Sequence, residues 1–301
     1  MALRVFRRRP TALAVLEGID LSGKVMLVTG GDGGIGFETT RALALRGARV
    51  YVGCLATETG ERAAATIRAE HPSADVRPIA FDLGDLPAVR EAARTLDEPA
   101  FHAVICNAGV YGGPYATTKQ GFERTFGVCF LGHAALLLAL EDKLVKGAPS
   151  RVVMVSSDNH RWPPTLERDA LPTPRDRYTE LRAYGQAKLS CVMLAKALDA
   201  RWSSRGVHAY SLHPGDLVST GIDKDSWVLR TVMFLAKPIS PSAAQAAATS
   251  VWAATTPALA DRGGGYYVDC EEVSPSPAAL VRDDVEWLWN RTVDWLARDA
   301  P

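Results

Sequence analysis

The chain contains no run of about 18 consecutive apolar residues, the length a helix needs to cross a bilayer, and this excludes a transmembrane helix. It also has no excess of either charge, with 34 Lys and Arg against 34 Asp and Glu. A basic face for nucleic acid or for an anionic membrane is therefore not expected. Cysteine is sparse. Cys54, Cys106, Cys129, Cys191 and Cys270 are odd in number and scattered, with no CxxC spacing. That pattern fits free thiols in a reducing, cytoplasmic setting better than a disulfide framework. No cluster resembles a zinc site, and there is no internal repeat or low-complexity tract. A signal-peptide core is missing too. Arg4 to Pro10 is basic, but the apolar stretch Thr11 to Leu16 stops at Glu17 with no cleavage site after it. Residues 1–20 read as an N-terminal arm laid on the surface of one domain, 21–301.

What is present is apolar material in a regular rhythm. Hydrophobic residues make up 47% of 301, enough to bury a sizeable core. Strands are expected at 24–29, 48–53, 75–80, 101–106, 151–156, 207–212 and 266–269. Helices are expected at 34–46, 57–70, 85–96, 117–145, 178–204 and 241–255. A last helix, 278–298, repeats apolar residues at three- and four-residue intervals from Val281 to Leu296. The Pro- and charge-rich stretch 158–177 reads as a long loop. Such alternation predicts an α/β fold: a single Rossmann-like, doubly wound domain. Its parallel sheet should have about seven strands, with helices on both faces.

The most informative stretch is Thr29-Gly30-Gly31-Asp32-Gly33-Gly34-Ile35-Gly36. It follows the apolar run Lys24 to Val28 and opens onto a helix-period segment from Phe37 to Leu45. Strand, glycine turn and helix together form the opening of a dinucleotide-binding fold. Glycines let the backbone approach a pyrophosphate, and the helix points amides and a positive dipole end at it. A flexible glycine linker is the alternative, and the apolar periodicity on both sides opposes it.

Four further features fall at strand ends on the same sheet edge, where ligands of open α/β sheets bind. Asp82, in Phe81-Asp82-Leu83, offers an acceptor to an adenine amino group; equally, it could cap helix 85–96. Asn107-Ala108-Gly109 permits close approach to a cofactor, or is an ordinary turn. Ser156-Ser157 offers a hydroxyl to a substrate oxygen, although serine is commonplace there. Tyr184 and Lys188 stand four apart on one helical face. An ammonium there favours phenolate and draws the tyrosine pKa down from about 10 towards general acid–base work. A packed tyrosine near a surface lysine is the plainer reading of that pair alone.

In this order the features resemble the short-chain dehydrogenase/reductase family, from about residue 11 to 298. The local runs Gly34 to Thr39, Leu131-Gly132-His133 and Leu212-His213-Pro214-Gly215 are most similar to its retinol dehydrogenase and WW-domain-containing oxidoreductase branch. The resemblance implies that Tyr184 exchanges a proton with the substrate oxygen and that Ser157 hydrogen-bonds the same oxygen. It implies that Lys188 holds the nicotinamide ribose and lowers the Tyr184 pKa. It assigns cofactor contacts to Gly30, Asp32, Gly34, Ile35, Gly36, Leu55, Asp82, Leu83, Asn107, Ala108, Gly109, Tyr184, Lys188, Pro214 and Gly215. The segment 216–240, with its apolar stretch Trp227 to Leu235, would lid the substrate, or else be core or a subunit contact.

Two positions depart from the family pattern. Cys129 stands where the family has an asparagine that helps to hold a water beside the lysine. A cysteine bonds hydrogen weakly, and a plain core role is favoured over a nucleophile. After strand two, Cys54 and Leu55 offer neither the acid that selects NAD nor the arginine that selects NADP. The missing acid and the branch resemblance tilt the expectation towards NADP over NAD. The leading functional reading is an NAD(P)-dependent oxidoreductase acting on an alcohol or its ketone or aldehyde, with a bulky, apolar small-molecule substrate. A non-redox lyase, isomerase or cyclase on the same fold, or a binding protein with a vestigial site, stands as the alternative. A homo-oligomer is left open.

Overall fold

The computed structural model describes residues 9–215 and 241–301. The expected lid over 216–240 and the basic stretch before Arg9 lie outside the described residues.

Eight strands form one sheet: β1 Val25–Thr29, β2 Arg49–Cys54, β3 Val76–Ala80, β4 Ala103–Cys106, β5 Ser150–Val155, β6 Val207–His213, β7 Tyr266–Val268 and β8 Glu271–Glu272. Their order is β3-β2-β1-β4-β5-β6-β7-β8, parallel throughout except for the β7–β8 pair. The order reverses between β1 and β4, which opens a crevice at their C-terminal ends.

The central strands are buried on both faces, so they read as unbroken apolar runs rather than as alternating patterns. Along β1, Met26 and Val28 face one core while Leu27 faces the other. The first core is closed by α1 Gly34–Ala44, α2 Thr57–Glu70 and, late in the chain, α8 Ala243–Thr255. The second is closed by α3 Leu86–Thr95, α5 Gly132–Ala139, α7 Glu180–Trp202 and α9 Arg282–Arg298. Residues 9–20 pack against α8: Ala12 and Leu16 are buried, and the Ala12 amide donates to Ala244 O at 2.7 Å.

Three boundaries differ from expectation, each for a local reason. The helix expected over 117–145 is interrupted. Thr117 bridges Glu123 in a small loop, and the Glu123 carboxylate caps the amides of Thr125 and Phe126, so the helix begins only at Arg124, as the short α4 Arg124–Phe126. A π-turn over Gly127–Leu131 follows, and α5 ends at Ala139 before a short α6, Glu141–Lys146. The eighth strand was not expected. Asp269 and Cys270 both adopt positive φ, 52° and 61°, and turn the chain tightly from β7 into β8. The last helix starts at Arg282, because Pro277–Leu280 winds as a separate 3₁₀ turn.

Candidate active site

The crevice at the reversal of strand order is a cavity of about 1050 Å³. The glycine turn forms one wall. The Gly30 amide donates to Gly53 O at 2.7 Å, tying the turn to the end of β2. Gly30 has φ +62°, and a Cβ on Gly36 would sit 2.0 Å from Gly30 O, so neither position tolerates a side chain. At Gly33 the opposite holds: a Cβ there would meet nothing within 4 Å, and the turn faces open space. No side chain caps the start of α1, so its first amides remain available to an anion.

Asn107, at the end of β4, stitches the turn from beneath. Its side-chain amide donates to Thr29 O at 2.9 Å, and its backbone amide and that of Ala108 both donate to Thr29 Oγ1 at 3.0 Å. Asp82 is exposed, with one oxygen accepting from Gly84 N at 2.7 Å. The cap of α3 is Asp85 instead, whose carboxylate accepts from Ala88 N. Asp82 therefore has no capping duty and lines the cavity with Leu83.

The opposite wall comes from β5, α7 and the end of β6. Tyr184 and Lys188 share one face of α7, as their spacing requires, with Lys188 Nζ 5.5 Å from the Tyr184 ring centre. Lys188 is buried, and its ammonium donates to Val155 O at 2.9 Å. Ser156 Oγ donates to Lys188 O at 2.8 Å, fixing helix to strand. Ser157 begins a 3₁₀ turn, its hydroxyl accepting from Asn159 N. His160 holds that turn in place. Its Nδ1 lies 2.8 Å from Ser157 O, and its Nε2 accepts from Ser276 N at 2.9 Å. Tyr111 packs edge-on against Tyr184 at 4.9 Å between ring centres.

The electrostatics differ in part from expectation. Burial pushes the Tyr184 phenol above its ordinary value of 10, and this outweighs the opposing pull of Lys188 and of a hydrogen bond from Ser157. Lys188 thus acts in the expected direction without setting the net result. Burial disfavours the Lys188 ammonium, but Tyr184 and the thiols of Cys129, Cys191 and Cys106 around it hold its pKa above the usual lysine value. Cys129 is a core residue in a π-turn. Its Sγ contacts Val110 N and Val110 O at 3.3 and 3.4 Å, and burial raises its pKa, the opposite of an activated nucleophile. The Cys129 carbonyl is engaged by His133 Nδ1 at 3.0 Å and by the Cys191 thiol at 3.3 Å.

The structure gathers around this one cavity Gly30, Asp32, Gly34, Ile35, Gly36, Leu55, Asp82, Leu83, Asn107, Ala108, Gly109, Ser157, Tyr184, Lys188, Pro214 and Gly215. Leu55 sits at the rim, 76% exposed. The sequence did not mark Arg124, which lines the cavity, or the loop contacts that run from it. Arg124 Nη2 donates to Gly112 O at 2.7 Å, Tyr178 OH to Gly113 O at 2.9 Å, and Gly113 N donates to Glu180 Oε1 at 2.8 Å. No local motif marks these contacts, since each joins segments distant in sequence. Among the described residues no group of His, Cys, Asp or Glu could hold a metal ion, and no helix is long and apolar enough to cross a membrane. All five cysteines are free.

A dinucleotide fits these residues: side-chain-free glycines and unpaired helix amides stand at one end, and a tyrosine and an ammonium at the other. The family described as short chain dehydrogenase matches residues 24–167. The WW domain-containing oxidoreductase of Danio rerio is 40% identical over 286 residues, 92% of this chain and 69% of that protein. Retinol dehydrogenase 12 of Mus musculus is 37% identical over 280 residues, 92% of this chain and 88% of that protein. A solved structure of an uncharacterized protein from Mycobacterium Paratuberculosis superposes with a TM-score of 0.73 at 27% identity, covering 92% of this chain and 95% of the other. The chain belongs to the short-chain dehydrogenase/reductase family. It is an NAD(P)-dependent oxidoreductase of that family.

Proposed function

We propose that this enzyme interconverts an alcohol and its ketone or aldehyde on a bulky, apolar small molecule, with Tyr184 as general acid and base. One observation carries the reading. The Tyr184 phenol, the Ser157 hydroxyl and the Lys188 ammonium line the same cavity as the glycine turn. When bound, the nicotinamide supplies or accepts the hydride.

The chain's own groups do the rest. With burial holding its pKa above the usual tyrosine value, Tyr184 keeps its proton and donates it to a carbonyl oxygen. Lys188 then stabilises the phenolate that forms and offers its ammonium to the nicotinamide ribose. Ser157 hydrogen-bonds the substrate oxygen and fixes its distance from the phenol. The glycine turn and the start of α1 take the pyrophosphate, with Asn107, Ala108, Gly109, Pro214 and Gly215 along the nicotinamide half. Val110, Tyr111 and Val128 supply an apolar lining, which supports an apolar substrate, as does similarity to a retinol dehydrogenase. Five free thiols support a reducing, cytoplasmic setting. Residues 21–301 act as one domain, and of the arm expected over 1–20 the described residues 9–20 lie upon it. The branch resemblance leans towards NADP; the end of β2 carries no side chain dedicated to its phosphate.

A panel of aldehydes and ketones, assayed by oxidation of NADH and NADPH beside a cofactor titration, tests the reading. Turnover on bulky apolar carbonyls supports it. Cofactor binding without net redox turnover on any of them would favour a non-redox enzyme or a vestigial site.

A further inference from the structure

The adenosine end of the cavity holds a carboxylate, Asp32, placed to bear on the choice between the two cofactors. Dinucleotide folds usually carry an acid just beyond the second strand, where it accepts hydrogen bonds from the ribose 2′-hydroxyl. Here that place is taken by Cys54 and the exposed Leu55. The wall facing them is the glycine turn. The amides of Gly30 and Gly31 both donate to Gly53 O, at 2.7 and 3.3 Å, so the turn lies directly against the end of β2. The next residue is Asp32, half-buried, and it lines the cavity together with Cys54, Leu55, Ala56 and Thr59. Among the described residues the Asp32 carboxylate has no hydrogen-bond or ion-pair partner.

Its neighbours offer only neutral groups whose protons are already directed at backbone carbonyls, weaker acceptors than a carboxylate. The Thr59 hydroxyl donates to Ala56 O at 2.8 Å, and the Cys54 thiol points at Ile79 O at 3.6 Å. The field of Asp32 reaches the end of β2. The Cys54 thiol is raised by burial first and by the Asp32 charge second. A neutral ribose hydroxyl pair entering there would find a free acceptor. A 2′-phosphate would meet a like charge, and the described residues at the end of β2, Cys54, Leu55, Ala56 and Thr59, include no cation to offset it.

Resting on the reading of this cavity as an NAD(P) site, we infer that Asp32 is a specificity-determining residue that turns the enzyme towards NAD and against NADP. The carboxylate usually carried at the end of the second strand is supplied here from the adjoining glycine turn. The tilt towards NADP drawn from family resemblance is reversed by this one side chain.

The test is binding, read by calorimetry on the intact chain without substrate. The probes are NAD, NADP, ADP and 2′-phosphorylated ADP. Wild type should bind NAD and ADP about tenfold or more tightly than their 2′-phosphorylated counterparts, the size expected for one hydrogen bond to a charged group. Asp32→Asn should bring the ratio close to one, and Asp32→Arg should invert it. Wild type binding NADP as tightly as NAD would overturn the inference, and needs no variant to fold. So would an Asp32→Asn protein whose four affinities fall together, since that marks Asp32 as support for the turn or for the α1 dipole. If wild type binds none of the four, the NAD(P) reading of the cavity itself fails.

Discussion

Thr29 Oγ1 lies 2.8 Å from His133 Nε2, joining the strand that feeds the glycine turn to the helix behind the active site. With Nδ1–H directed at Cys129 O, the imidazole is neutral and its Nε2 accepts from the threonine. That hydroxyl in turn accepts from Asn107 N and Ala108 N, so one buried ring coordinates cofactor loop, β4 and π-turn.

This arrangement predicts an acid-sensitive fold. Burial lowers the His133 pKa from 6.5 to about 4, and that of His160 likewise to about 4. Above pH 6.5 each is neutral in both folded and unfolded states. Below it the unfolded chain binds protons that the folded one refuses, so stability is lost as pH falls from 6.5 to about 4. At 1.36 kcal/mol per unit, each histidine contributes a loss of up to about 3 kcal/mol across that window. Urea unfolding at pH 7.5, 6 and 5 should show the decline. His133→Gln should be less stable at pH 7.5 and show a shallower decline, with His160 retaining part of the slope. An unchanged slope in that variant would contradict the assignment.

Tyr184→Phe should leave cofactor binding and folding intact and lower kcat by about 10² to 10⁴, the usual weight of general acid–base catalysis. A loss below tenfold would remove Tyr184 from the role. Lys188→Ala should weaken cofactor affinity and turnover together, since the ammonium serves both.

Cys129→Asn should fold and be as active as wild type or modestly more so. The Cys129 sulfur sits between Val110 N and Val110 O, and a carboxamide offers both an acceptor and a donor to that pair. Steady-state kinetics beside thermal melting decides the matter. A large loss of turnover in a folded protein would assign Cys129 a specific chemical role.

Leu55→Arg should raise NADP affinity about tenfold or more, because a guanidinium at the rim can pair with a 2′-phosphate. With Leu55 76% exposed, stability should change by no more than about 0.5 kcal/mol. A titration showing no gain for NADP would place the ribose away from this rim.

Gly36→Ala should abolish cofactor binding or destabilise the fold by at least about 1–3 kcal/mol, the usual cost of overpacking. The added carbon would overlap Gly30 O at 2.0 Å and Asn107 Nδ2 at 2.5 Å. Near-native affinity and melting temperature would show that the turn relaxes more easily than its hydrogen bonds suggest.

Local sequence determined the strand-turn-helix order, because burial on both faces leaves unbroken apolar runs in strands and a 3.6-residue repeat in helices. It also determined that Tyr184 and Lys188 share a face, since helical spacing alone requires it. The tertiary structure decided what depends on residues far apart. Glu123 stops a helix that periodicity would have extended backwards, and the αL pair Asp269–Cys270 adds a strand without an Asn-Gly signature. Burial reversed the expected net shift of the Tyr184 phenol, because desolvation depends on the surrounding atoms and not on the i+4 lysine. Resemblance marks Asp32 as a cofactor contact, but only the hydrogen bonds to Gly53, which bring that turn against Cys54 and Leu55, set it beside the end of β2. Electrostatic and steric complementarity act over a few ångströms of space, and only the folded chain brings those groups that close.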